Sequence, residues 1–193
     1  MGTKGKIRKW SDLSIAIIGG DEREQEIARL AAATGATITA YGFPWPENGI
    51  DGVSLRDSAV DAIHGAHIAL MPIPGIQSDG SLFATTKIIP RDDILGAMAP
   101  QGHIILGTAD EELKACAKRH SITIHEYEQD DELMLLRTPA IVEGAIRNII
   151  ELTDITIHNA RICVAGQGNI GAALTRTLVL MGGQVSVLAR NPV

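Results

Sequence analysis

The 193-residue sequence is poor in aromatics, with 3% Phe, Trp and Tyr, and lacks an excess of positive charge, its formal net charge being -6. Nucleic-acid binders usually carry a basic face, and single-strand binders stack bases on aromatic rings. Both readings are therefore disfavoured. Cysteine is also scarce. Cys116 and Cys163 stand far apart among apolar neighbours, with no Cys-x-x-Cys. Neither a metal knuckle nor a redox pair is indicated, and both thiols are expected to be buried and reduced. The six histidines show no HExxH spacing, so they are read as structural or exposed, with no metal site. No apolar run approaches the roughly 20 residues of a membrane span. The basic start MGTKGKIRKW is not followed by the apolar stretch of a signal peptide, and Lys6 breaks the myristoylation pattern. The expectation is a cytoplasmic protein with a disordered head over residues 1–12.

What is present is apolar material, 45% of the chain, arranged as short β-branched runs alternating with helical stretches. Ser14–Ile18 reads as a buried strand ending at Gly19-Gly20. Asp21–Thr34 follows as a helix closed at Gly35, then Thr37–Tyr41 as a second strand. Further on, the pattern predicts a helix over Ser54–Gly65, a strand over His67–Met71 broken by Pro72–Gly75, and a weak helix over Asp92–Ala97. His103–Leu106 and Ile122–His125 read as strands flanking a helix over Asp110–His120. This succession predicts an α/β fold, a Rossmann-like or flavodoxin-like open parallel sheet over residues 13–137. Thr138-Pro139 reads as the N-cap and first position of a linker helix within 138–158, apolar over a wide arc. Residues 159–193 read as the first β-α-β of a second Rossmann domain.

That last segment carries the chemistry. Arg161–Ala165 is a strand-like run that leads into Gly166-Gln167-Gly168-Asn169-Ile170-Gly171, a GxGxxG. Ile170, Leu174, Leu178 and Met181 then recur at helical spacing, and Gln184–Ala189 is strand-like again. A lone GxGxxG is weak; between a strand and a helix it is a dinucleotide fingerprint. Gly166 permits the sharp turn, Gly168 lets the backbone approach a diphosphate, and Gly171 lets the helix pack close. The helix start offers free N–H groups and roughly half a positive charge. NAD sites place an acidic residue at the end of the second strand. This chain has Ala189-Arg190-Asn191 there, and a cation beside a neutral polar group suits the 2′-phosphate of NADP. The alternative is a glycine-rich turn without ligand, with Arg190 capping a solvated strand end.

The first glycine turn is different. Gly19-Gly20 is followed by Asp21-Glu22-Arg23-Glu24, and carboxylates at that spot would repel a phosphate. Asp21 and Arg23 are read as facing a small polar substrate, or else as a charged first helical turn. Glu143, placed in the first turn of the linker helix, is a candidate for substrate binding or proton transfer, or for stabilising the helix end. Pro72–Gly75 is a candidate cleft wall. Asp130-Asp131-Glu132 reads as a solvated acidic loop.

Several of these segments occur together and in one order: Ile15–Asp21 with Arg23 and Gln25, Pro72–Gly75, Val142-Glu143-Gly144-Ala145, Thr153–His158 and the GQGNIG loop. The chain thereby resembles the A-type subunit family of bacterial dipicolinate synthase. The resemblance implies an N-terminal Rossmann-like domain, a linking helix and an NADP-binding domain. It also implies an oxidoreductase that converts a dihydrodipicolinate-type dicarboxylate to dipicolinate during sporulation. The partner it implies is the B-type subunit of dipicolinate synthase, and the assembly a homo-oligomer. Gly166, Gly168, Asn169, Ile170, Gly171, Arg190 and Asn191 become cofactor contacts, and Asp21, Arg23 and Glu143 the catalytic-cleft candidates. Arg137-Thr138-Pro139 departs from the expected linker pattern by placing the proline one residue early. The sequence also stops on the order of 100 residues short of a complete second domain, so the chain alone is expected to be inactive and to bind NADP(H) weakly. The alternatives are a hydroxyacid or alanine dehydrogenase relative, and a non-catalytic nucleotide-binding or assembly module.

Overall fold

The structure is a computed structural model and describes residues 9–190. The chain divides into two compact units, through Glu128 and from Gln129 onward.

The first unit is built on β1 (Ser14–Ile18), β2 (Thr37–Tyr41), β3 (Val53–Leu55), β4 (Ile68–Leu70), β5 (His103–Leu106) and β6 (Thr123–Glu126). All pair in parallel, in the order β3-β2-β1-β4-β5-β6. That is the Rossmann order, with the direction of winding reversing between β1 and β4. It settles the choice that the sequence left open with the flavodoxin-like order. The apolar run of β1 is continuous because a central parallel strand is covered on both faces. Ala16 and Ile18 join one core with α2 (Ala59–Ile63), α3 (Asp92–Leu95) and α4 (Glu111–Arg119). Ile15 and Ile17 join the other with Ile38, Ala40 and α1 (Arg23–Ala33). Ile17, Ile18, Ile38, Ile63 and Ile104 are at most 1% exposed, each contributing about 1.5–3 kcal/mol.

Two local expectations fail here. Ser54–Gly65 is not one helix: its start pairs with β2 as the edge strand β3, and α2 begins only after Ser58, whose hydroxyl accepts the Asp61 N–H at 3.0 Å. Backbone pairing with an exposed sheet edge wins over local helical periodicity. Within the head, residues 1–8 lie outside the described residues, but Trp10–Asp12 forms a 3-10 turn closed by the Leu13 N–H on the Trp10 carbonyl.

The second unit contains α5 (Asp131–Leu152), β7 (Arg161–Ala165), α6 (Asn169–Leu180) and β8 (Gln184–Leu188). β7 and β8 pair in parallel, Ala165 opposite Leu188. α5 and α6 meet over a small core of Ile157, Val164 and Leu178, with Ile146 and Ile149 against it. α5 begins at Asp131, well before the expected Thr138. Asp130, read from sequence as loop, caps it by accepting the Leu133 N–H at 3.0 Å, and Asp131 and Glu132 complement the helix end. Pro139 is inside the helix rather than at its start. Its missing N–H leaves the Leu135 carbonyl without the usual donor, on a stretch where Leu135 and Pro139 are both exposed. Cys116 is buried as expected, whereas Cys163 is exposed, because little covers the two-stranded sheet among the described residues. No helix among the described residues is long and apolar enough to cross a membrane.

Candidate functional site

In the second unit, the turn between β7 and α6 separates the jobs of its three glycines. Gly166 has φ +106°, a conformation open to glycine, and its N–H donates to the Leu188 carbonyl at 2.8 Å. A Cβ on Gly171 would collide with the Gly166 carbonyl oxygen, so close helix packing requires its absence. Gly168, by contrast, has ordinary extended backbone, and a Cβ there would meet open space. Nothing in the packing of the described residues demands a glycine at 168; the bare backbone faces a groove. That groove, of about 390 Å³, is lined by Met134 of α5, Gly166, Gly168, Asn169 and Ile170 among others.

The helix start is correspondingly free. α6 has neither a side-chain cap nor an acidic residue in its first turn. α2, α4 and α5 are capped by Ser58, Asp110 and Asp130. Uncapped N–H groups at a helix N-terminus, with the dipole behind them, form an anion site. The β7–β8 register brings Arg190, two residues past β8, to the same sheet end as Gly166. Arg190 is exposed and makes no ion pair among the described residues. Asn191 lies outside the described residues.

The first unit has the same strand–Gly–helix opening with the opposite finish. Gly19 and Gly20 both have positive φ, +75° and +116°. The space over Gly20 is filled by the Glu24 side chain, into which a Cβ would run. The Glu24 carboxylate accepts the Asp21 N–H at 2.6 Å and is 4% exposed. Burial pushes its pKa above the ordinary value, and the backbone hydrogen bond only partly opposes this. The chain thus places its own carboxyl group where a phosphate would bind. The Phe83 carbonyl, accepting the Gly20 N–H at 2.7 Å, and Pro72 close the crevice beside it. Sequence reasoning placed carboxylates here but missed Glu24 as the occupant. The signal available was an acidic residue one short turn after a double glycine.

Asp21 and Arg23 are neighbours in this turn. The Arg23 guanidinium grips Asp21 with two hydrogen bonds of 2.8 Å, which holds the Asp21 carboxyl below its usual range and raises Arg23. The Pro72–Gly75 turn packs on the Gly107–Thr108 backbone, Ile76 N–H donating to the Thr108 carbonyl at 2.9 Å. Glu143 is exposed in the middle of α5. Because that helix starts at Asp131, Glu143 is not in its first turn and cannot stabilise the helix terminus; this corrects the expectation.

Comparison with known proteins agrees with this architecture. Residues 14–128 match the family of N-terminal domains of the A-type subunit of dipicolinate synthase. The A-type subunit of dipicolinate synthase from Bacillus subtilis strain 168 is 30% identical over 187 residues, covering 93% of this chain and 61% of that protein. The crystal structure of the Bacillus halodurans A-type subunit superposes with a TM-score of 0.77 at 25% identity, over 95% of this chain and 64% of that one. The structure of its B. subtilis counterpart gives 0.73 at 25% identity, over 98% and 63%. The chain therefore spans a little over three fifths of these relatives' length. On the match over residues 14–128, this chain belongs to the family of dipicolinate synthase A-type subunits.

Proposed function

We propose that this chain is part of an NADP-dependent oxidoreductase that oxidises a dihydrodipicolinate-type dicarboxylate to dipicolinate, working with a B-type partner in the cytoplasm of a sporulating cell. The observation that carries the reading is the uncapped start of α6 over the open groove at Gly168. A dinucleotide would lay its diphosphate against the backbone of Gly166, Gly168, Asn169, Ile170 and Gly171, with Arg190, and Asn191 beside it, on the 2′-phosphate. When bound, the nicotinamide supplies the hydride acceptor. In this reading the second domain, residues 159–193, follows the linking helix α5, which starts at Asp131 rather than at the expected 138.

In the first unit the candidates for substrate contact in this reading are Arg23 and Asp21; Glu143, in the second unit, is a separate candidate. Arg23 is a two-pronged carboxylate binder already closed on Asp21, so a substrate carboxylate would take over a fork that is held in shape beforehand. Asp21 stays ionised through that pairing. Glu143, exposed on α5, is the candidate for proton transfer.

The decisive experiment is an assay of NADP+ reduction with dihydrodipicolinate, using the protein extended to its relatives' length together with the B-type partner. Turnover is the expected result. Turnover of a 2-oxo acid without the partner would replace this reading with a hydroxyacid dehydrogenase. The 193-residue chain alone is expected to bind NADP(H) weakly, and a submicromolar Kd by calorimetry would contradict that.

A further inference from the structure

Away from the dinucleotide groove, three side chains converge where α3 meets α4. Cys116 is on α4 and His120, four residues later, is the C-cap just past its end, with its N–H donating to the Cys116 carbonyl at 3.2 Å. Asp92, the first residue of α3, faces both. Its Oδ1 lies 3.3 Å from Cys116 Sγ and 2.9 Å from His120 Nε2, and the three ligand-type atoms all lie within 4.8 Å of one another. A tetrahedral zinc with bonds of about 2.0–2.3 Å holds its ligand atoms roughly 3.3–3.6 Å apart. Two of the three edges already fall within about half an ångström of that.

We propose that this corner binds one thiophilic divalent cation of the zinc type, ligated by Asp92, Cys116 and His120. The donor set decides the class. Thiolate with imidazole selects zinc-like ions over magnesium or calcium, which want oxygen. Carboxylate, thiolate and neutral imidazole together carry two negative charges, matching one divalent ion. Cys116 is fully buried, while the Asp92 side chain is 59% exposed and that of His120 29%. The site is therefore anchored inside and open outside, which gives an entry path and a fourth position for water.

The present occupant of Asp92 is Arg119, whose Nε donates to Oδ1 at 3.2 Å and whose terminal nitrogen donates to Oδ2 at 2.8 Å. Cation entry costs the first of these bonds and leaves the second, which would then orient the ligating carboxylate. The His120 ring lies over Gly96, where an added Cβ would come within 3.2 Å of its Cε1, and its Nε2 is turned toward Asp92. The ion would staple α3 to α4 and stabilise the first unit by mass action.

The test is titration of the 193-residue chain with zinc against a chromophoric chelator, and with cobalt read by its thiolate charge-transfer band. The expected result is one equivalent per chain, a cobalt–thiolate band, and a melting temperature raised by zinc but not by magnesium. Losing a partner outside the ligand shell costs roughly 10–100-fold in metal affinity, so Cys116→Ser and His120→Ala should each cost at least that much. Because His120 is at the surface, its variant decides the matter even if Cys116→Ser unfolds. Absence of saturable zinc binding, or affinity unchanged in His120→Ala, would overturn the proposal. So would loss of binding in His103→Ala instead, since His103 Nδ1 and His125 Nε2 stand 3.1 Å apart and offer a rival pair.

Discussion

The chain opens a strand–glycine–helix turn twice, and the two turns have opposite fates. At Gly19-Gly20 the helix N-terminus is answered by the protein's own Glu24. At Gly166–Gly171 the helix N-terminus is answered by nothing in the described residues. Glycines give a backbone the shape to hold a phosphate, but vacancy decides whether one can enter. A motif search reads the first condition only.

Four changes would break or sharpen this contrast. The largest effect is expected from Gly168→Asp in the protein extended to its relatives' length. The side chain has room, so the fold survives, but its carboxylate sits where the diphosphate would, and like charges in contact cost several kcal/mol, roughly 100-fold or more in affinity. NADPH fluorescence titration reads the loss, and circular dichroism checks the fold. Glu24→Ala should next cost about 1–3 kcal/mol of stability by stranding the Asp21 N–H. Added phosphate should restore part of the melting temperature; no effect of phosphate would show that the two turns differ in more than their occupant. Arg190→Asp should shift preference from NADP(H) toward NAD(H) by about tenfold, near 1.4 kcal/mol, as the ratio of the two dissociation constants. Smallest is Glu24→Gln. Burial raises the Glu24 pKa above its unfolded value, so wild-type stability is fully present below the ordinary Glu range and falls as pH rises through the raised value. The glutamine variant lacks that loss. It should gain on wild type in denaturant melts as pH goes from 4 to 8, and a gap widening in the other direction would refute the sign.

The sequence was most legible where one local force dominates. Ser14–Ile18, Thr37–Tyr41, His103–Leu106 and Arg161–Ala165 are strands within the predicted bounds, because β-branched runs cut off by glycine leave little competition. The Rossmann-type parallel sheet followed from their alternation with helices. β3 was missed because a three-residue edge strand, with only Val53 half-buried, has no period to detect. The start of α5 was missed because Pro139 looked like a beginning, while the Asp130 cap that sets the start lay a full two turns upstream. At the site, the glycine spacing announced the α6 turn. Whether the groove beside it was clear, and which carboxylate filled its twin, depended on side-chain placement that no pattern of residue types encodes. The Asp92–Cys116–His120 corner was half legible: Cys116 and His120 have a ligand-like i,i+4 spacing, but Asp92 joins them only through the packing of α3 on α4.

The small β7–β8 sheet has a practical corollary for anyone who purifies this polypeptide. Among the described residues β7 has a partner on one side only, and in the same unit Leu180, at the end of α6, and Leu188, at the end of β8, are 81% and 67% exposed. An unpaired strand rim and bare leucines are each a template for self-adhesion. Dimers or larger particles seen by light scattering on the 193-residue chain would report that rim, and a native assembly is established only when the same stoichiometry persists in a protein of the relatives' full length.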